Sequence, residues 1–163
     1  MVKSMQILTA ILVYFVGGVM AACSFFGHRD YNGDKDKLIF TLRELILCRN
    51  VDVFYVGNQG NFDFAVLQAL RQLQTEFSHI RYSVVLAYHP SVNRYSDLIR
   101  NEETLFPEEM EKVPLRFAIA KRNEWMISES QYSVVFVRNT VGGAAKYKAF
   151  AEKKGLEVIN LYE

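Results

Sequence analysis

The stretch "MAACSFFGHRD", Met20 to Asp30, has two incompatible readings, and the choice between them decides the fold. Read back toward the N-terminus, it closes an uncharged apolar run from Met5 to Phe26, with Lys3 ahead of the run and Cys23 following two alanines. A run of that length can cross a bilayer, and the lysine would be the positive end of a signal or anchor. Cys23 would then be the modified cysteine of a lipoprotein. Read forward, "AACSFF" is a strand covered on both faces that delivers the polar loop "GHRD" to a binding site.

The run itself favours the forward reading. "VYFVGG", residues 13 to 18, is a poor helix former, and "GHRD" follows the apolar residues with no polar spacer. Gly17 and Gly18 are encoded by two codons that start with GG just upstream of Met20, as a translated ribosome-binding site would be. The expected division is therefore an apolar N-terminal extension, residues 1–19, outside a natural domain of residues 20–163. A membrane anchor and a lipidated Cys23 are the alternatives.

Within 163 residues, half of them hydrophobic, one domain can bury a substantial core. Nineteen Lys and Arg against 18 Asp and Glu leave a net charge of +1, without the broad basic field that nonspecific nucleic-acid binding uses. A small-molecule partner is expected, and nucleic acid is not. Cys23 and Cys48 have neither metal-ligand spacing nor the density of a disulfide scaffold, so no metal or other cofactor is expected and a reducing cytoplasm is the simplest location. Association of identical copies is compatible with the composition.

Beyond Phe26, short β-branched and aromatic runs alternate with segments of helical period, the pattern of βαβ units in a three-layer α/β domain. The expected strands are Ala21 to Phe26, Val51 to Val56, Tyr82 to Ala87, Tyr132 to Val137 and Glu157 to Leu161. They would form a parallel five-stranded sheet of order 3-2-1-4-5. The expected helices are Asp34 to Arg49, Asn61 to Phe77, Phe117 to Glu129 and Ala144 to Lys154. His89 to Pro114 is polar, holds all three prolines and keeps no period, which predicts a long loop with at most short helical turns.

In such a sheet, ligands bind beyond the carboxyl ends of the strands where strand order reverses. The first four expected strands end in "GHRD", "GNQGNFD", "YHP" and "RNTVGGAAK", richer in glycine, charge and ring nitrogen than turns alone require. Gly142 and Gly143 precede a helix, where backbone N–H groups and the helix dipole favour an anion such as phosphate. Gly57, Asn58 and Gly60 repeat that arrangement, with Asp63 in the next helix's first turn as a dipole partner or a ribose acceptor. Gly27, His28 and Arg29 extend the first strand, and Arg29 suits bidentate contact with phosphate. Arg122 and Asn123 sit in the helix leading to the fourth strand, where an exposed helical face is the plainer reading. Tyr31, Phe62 and Tyr88 offer aromatic faces for a base.

Taken together and in this order, "CSFFGHRD", "FYVGNQGNFD", "VLAYHP", "VPLRFAIAKRNEWMI", "GGAAK" and "KKGLEVINL" resemble the YpsA-like branch of the SLOG superfamily. The resemblance runs from about Ala21 to Leu161 and implies a Rossmann-like fold with a pocket for nucleotides or nucleotide-derived ligands. It also places the strand before "GHR" at the start of the domain. The superfamily's phosphoribohydrolases carry "PGGxGTxxE", whereas this chain reads "TVGGAAKYKAF", with Thr140 and Val141 in the proline region and Tyr147 and Lys148 near the place of the glutamate. Loss of a positioned acid or base lowers rates by about 10² to 10⁴. The expected function is thus a cytosolic module that binds or senses a nucleotide-like ligand. The competing readings are an N-glycosidase using Asp63 or Glu129, with His28 as proton donor, and a membrane-tethered interaction protein.

Overall fold

The computed structural model describes residues 20–92 and 102–163. The first strand, β1 (Ala21–Gly27), leads into α1 (Lys35–Arg49), β2 (Val51–Val56), α2 (Asn61–Glu76) and β3 (Arg81–Val85). After β3 come a two-residue strand, β4 (Thr104–Leu105), and then α3 (Ala118–Ser128), β5 (Tyr132–Phe136), α4 (Gly143–Lys153) and β6 (Glu157–Asn160). All neighbouring strands are parallel, in the order β4-β3-β2-β1-β5-β6. The fold is the expected α/β architecture with one strand more than the five expected.

β1 belongs to the core of the sheet because it is apolar on both faces. Cys23 and Phe25 pack with Leu38, Leu42, Phe62, Val66 and Leu70 from α1 and α2. Phe26, its side chain on the opposite face, packs with Met126 and Ile127 of α3 and with Ala145, Tyr147 and Ala151 of α4. The alternation repeats at Val84 and Val85 and at Val134 and Val135, giving two cores separated by the sheet. Asp34 starts α1 by accepting the Asp36 and Lys37 N–H groups on its side chain, and Asn50 ends it in the left-handed conformation.

The forward reading of Ala21 to Phe26 holds, since these residues form the central strand with the Cys23 side chain sealed inside it, an arrangement that fits neither alternative. Residues 5–19 of the apolar run lie outside the described residues, and among the described residues no helix is long and apolar enough to cross a membrane. One expectation is corrected here. The segment from His89 to Pro114 is more than a loop with helical turns. It holds the turns Pro90–Val92 and Glu108–Met110, but it also supplies β4, whose flanking carbonyls at Glu103 and Leu105 accept the Val84 and Leu86 N–H groups, each at 2.8 Å. Glu102, just ahead of β4, is held by Arg71 of α2, which fixes the edge strand from one end.

At the other edge, Asn160 extends the ladder with its side chain. Its Oδ1 accepts the Val137 N–H at 3.0 Å and its Nδ2 donates to the Val137 carbonyl at 3.1 Å, so the end of β5 is held where the chain turns toward Gly142. Val137 is buried, and Asn160→Ala would leave both backbone groups without partners. That replacement is expected to lower stability by about 2 kcal/mol, read as a lower urea midpoint at unchanged slope.

Candidate functional site

β1 pairs with β2 on one side and β5 on the other, and the chain leaves toward α1 and α2 on one face and returns through α3 and α4 on the opposite one. The helices diverge where strand order reverses, and a cavity of about 320 Å³ opens there beyond the strand ends. Gly27, His28 and Arg29 line it from the end of β1, Gly57 and Gln59 from the end of β2, and Gly143 and Ala144 from the start of α4. The backbone N–H of Arg138 donates to His28 Nε2 at 3.0 Å, so the ring carries its proton on Nδ1 and only that nitrogen is left to donate.

Both crossover helices that start at the cavity's rim have glycine caps in the same conformation. Gly60 has φ 113° and ψ −175°, and Gly142 has φ 105° and ψ 177°, a region open essentially to glycine alone. Neither has a side chain to cap its helix. At α4 the Gly143, Ala144 and Ala145 N–H groups lack intrahelical partners, as first-turn groups do, and the positive end of the dipole faces the cavity. At α2 the chain supplies its own partners: Asn61 N–H donates to the Arg29 carbonyl at 3.0 Å, and Asp63 Oδ2 accepts the Gln59 N–H at 2.7 Å. Among the described residues, α4 thus keeps the N–H groups of its first turn free beside the cavity, whereas at α2 the first of them, that of Asn61, is taken by the Arg29 carbonyl.

The floor holds two charged groups out of water. Arg122 is 2% exposed; its Nη1 donates to the Val85 carbonyl at 2.9 Å and to Asn58 Oδ1 at 3.3 Å, and its Nε donates to Asn123 Oδ1 at 2.8 Å. Asp63 is buried beside it. Burial pushes the Asp63 carboxyl above the usual carboxylate range, opposed by the Arg122 charge and the Gln59 N–H. Burial likewise pulls Arg122 below its ordinary value, opposed first by Asp63 and then by the phenols of Tyr147 and Tyr88.

The structure gathers Gly27, His28, Arg29, Gly57, Asp63, Arg122, Asn123 and Gly143 around this one cavity. Asn58 supports Arg122 from behind, and Gly60 and Gly142 shape the rim. Tyr88 stands close enough to Arg122 to act on its charge but does not line the cavity. Glu129 caps the end of α3 near the start of β5 and faces no part of the cavity, so it drops out as a catalytic carboxylate. Phe62 is unavailable to a base, because it lies under Gly27 against Tyr31 and Phe136. Sequence reasoning missed Ile119 and Tyr147, which line the cavity, Tyr147 while stacked on Phe26 at 5.4 Å. Arg122 is not an exposed helical residue: Ala118, Arg122 and Met126 recur every four residues as one buried stripe, a signal present in the sequence.

The fold and the cavity at its reversal define a Rossmann-like α/β domain. Among solved structures, the chain is similar to DNA processing protein A (DprA) from Streptococcus pneumoniae, with a TM-score of 0.60 and 19% identity over 85% of this chain. It spans 49% of that protein's chain. At this identity the likeness is one of fold, the Rossmann-like fold that the resemblance to the SLOG superfamily implied. No protein-family model and no curated protein matches the chain. The likeness overturns the expectation that nucleic acid is not a partner, since a protein of this fold is a DNA processing protein. That expectation rested on a net charge summed over the whole chain, whereas recognition depends on local charge. Here Arg29 and Arg122 line one cavity together with Asp63.

The two glycine caps separate strain from crowding. A Cβ on Gly60 would stand 2.8 Å from the Arg29 Cα, whereas one on Gly142 would have nothing within 4 Å. Gly142→Ala is expected to cost about 1–2 kcal/mol through backbone strain alone. Gly60→Ala should cost more, about 3 kcal/mol, because the Arg29 backbone must also move. Chemical denaturation of the two variants checks the order.

Proposed function

We propose that the protein binds a phosphate-bearing nucleotide or nucleotide-derived ligand and acts as a cytoplasmic sensing module of the YpsA-like branch of the SLOG superfamily. The observation that carries this reading is the α4 N-terminus, whose unpartnered N–H groups face the same cavity as Arg29 and the buried Arg122. A phosphate there would accept backbone hydrogen bonds and meet two guanidinium groups, each contact to a charged group contributing about 1.5–3 kcal/mol. Tyr147 and Ile119 provide an apolar wall for a base. Because the similar protein processes DNA, the nucleotide can also be the end of a strand.

Asp63 favours a second reading, an N-glycosidase, because it is a carboxyl in the cavity beside the position a ribose would take. Sensing is preferred on three grounds. Asp63 Oδ2 is tied to its own loop through the Gln59 N–H. No glutamate stands at the expected distance after the glycines, where Tyr147 and Lys148 are found, and His28 has only Nδ1 left to donate.

The test titrates nucleoside monophosphates, dinucleotides and a short single-stranded DNA, following thermal stability and base release on the same samples. A ligand at about a hundred times its Kd should raise the melting temperature by on the order of 5–10 °C. Gly143→Val should abolish the shift by placing a branched side chain where the anion sits. The variant should still fold, since a Cβ at Gly143 points into open space. Fast base release that Asp63→Asn eliminates would favour the enzyme. The absence of a shift with every ligand would end both readings.

A further inference from the structure

The cavity floor contains polar atoms that no group of the described residues partners. Of the three guanidinium nitrogens of Arg122, Nε and Nη1 are engaged, whereas Nη2 has no hydrogen-bond partner among the described residues and is not sealed from the cavity. Asp63 shows the same division: Oδ2 takes the Gln59 N–H, and Oδ1 has no partner among the described residues. The rest of each side chain is buried, at 2% and 9% exposure, while these two atoms stay accessible, so a ligand entering the cavity meets one donor and one acceptor whose neighbours are already bonded.

The two side chains flank Gly57. A Cβ there would lie 2.6 Å from Asp63 Oδ2 and 3.2 Å from Arg122 Nη1, the engaged atom of each, and both side chains line the cavity. The floor therefore presents a cationic donor beside an anionic acceptor, held by strand ends and helices. From this geometry we infer that Asp63 and Arg122 read the edge of the ligand's base, and that this edge is a lactam, a ring carbonyl beside a ring N–H, as in guanine and hypoxanthine nucleotides. The inference rests on the reading above that the α4 N-terminus holds the phosphate; it assigns Asp63 to the base instead of the ribose and Arg122 to the base instead of the phosphate, which keeps Arg29.

The chemistry of the pair selects the lactam. Arg122 can only donate, and an exocyclic carbonyl oxygen with two lone pairs is a better acceptor for a buried cation than a ring nitrogen with one. An ionised Asp63 can only accept, and a lactam N–H is a stronger donor than the exocyclic amine of adenine. An adenine edge would reverse the roles, offering its amine to Asp63 and its ring nitrogen to Arg122, both weaker charge-assisted bonds. Asn123 adds to the match, because its Oδ1 is taken by Arg122 Nε and its Nδ2 is left as a second donor beside the carbonyl position.

Calorimetric titration of the full chain with GMP, IMP, AMP, 1-methylguanosine 5′-monophosphate and ribose 5-phosphate tests the inference. GMP and IMP should bind at least tenfold tighter than AMP. The 1-methyl compound, which keeps the ribose and phosphate but loses the ring N–H, should fall to the affinity of AMP or below. Asp63→Asn should reduce the preference for GMP over AMP to less than threefold, and the methylated ligand gives the same information should that variant fail to fold. Equal binding of GMP and AMP overturns the inference, as does undiminished binding of the 1-methyl compound or an equal loss for both bases in Asp63→Asn, which would return Asp63 to the ribose. If ribose 5-phosphate binds and Gly143→Val abolishes that binding, the phosphate reading stands whether or not the base is discriminated. If none of the ligands binds, both readings fall.

Discussion

Everything that makes this protein more than a packed sheet follows from β1 having neighbours on both sides that the chain reaches in opposite directions. Crossovers from β1 to β2 and from β2 to β3 lay α1 and α2 on one face, and the return through α3 to β5 lays α3 and α4 on the other. A helix can cover the sheet only along its own path, so the end of β1 is left between departing helices. The chain cannot fill that gap with β1 itself, because β1 ends in Gly27, against which Phe62 packs so closely that a Cβ would stand 2.3 Å from its ring. The cavity is thus a consequence of topology, and the side chains around it decide what it can hold.

Arg122 fixes the cavity's shape. One guanidinium ties α3 to the end of β3 through the Val85 carbonyl and to the loop after β2 through Asn58. These elements are far apart in sequence and share no backbone hydrogen bonds with α3, so the side chain does what a backbone ladder cannot. A lysine would keep the charge but not the fork that satisfies a carbonyl and two amide oxygens at once. The same rigidity keeps Nη2 in place.

The parts of this arrangement that were legible in the sequence are those with a local cause. Strands covered on both faces appear as continuous apolar runs, and Asp34, Gly60 and Gly142 mark helix starts by their capping chemistry, so the layers and strand order could be anticipated. β4 could not, since one exposed and one half-buried residue make no period and their pairing is imposed by β3 and by Glu102 on Arg71. Hydropathy alone misleads at Ala21 to Phe26, because a strand buried on both faces and the end of a membrane span demand the same residues. In the site, glycines and charges at strand ends were visible, but Tyr147 was not: an aromatic at helical spacing reads as core, and this one is core on its Phe26 side and cavity wall on the other. Glu129 was singled out by residue type, and only the geometry shows that it belongs to the end of α3.

The energetics of the floor bear on what an empty cavity means. Desolvation disfavours the charged forms of both Asp63 and Arg122, and their mutual attraction opposes it only in part, since the net direction for each is still away from its ion. A fold selected for stability alone would gain by replacing such a pair with apolar residues of similar volume. A ligand that bonds the free atoms of the pair would offset part of that desolvation on binding. Phosphate contacts at the α4 N-terminus, as proposed, would be common to every nucleotide and give affinity without choice. If Asp63 and Arg122 read the base, a wrong ligand would displace the water at their free atoms without replacing its hydrogen bonds, so discrimination would reside in the pair that desolvation disfavours most.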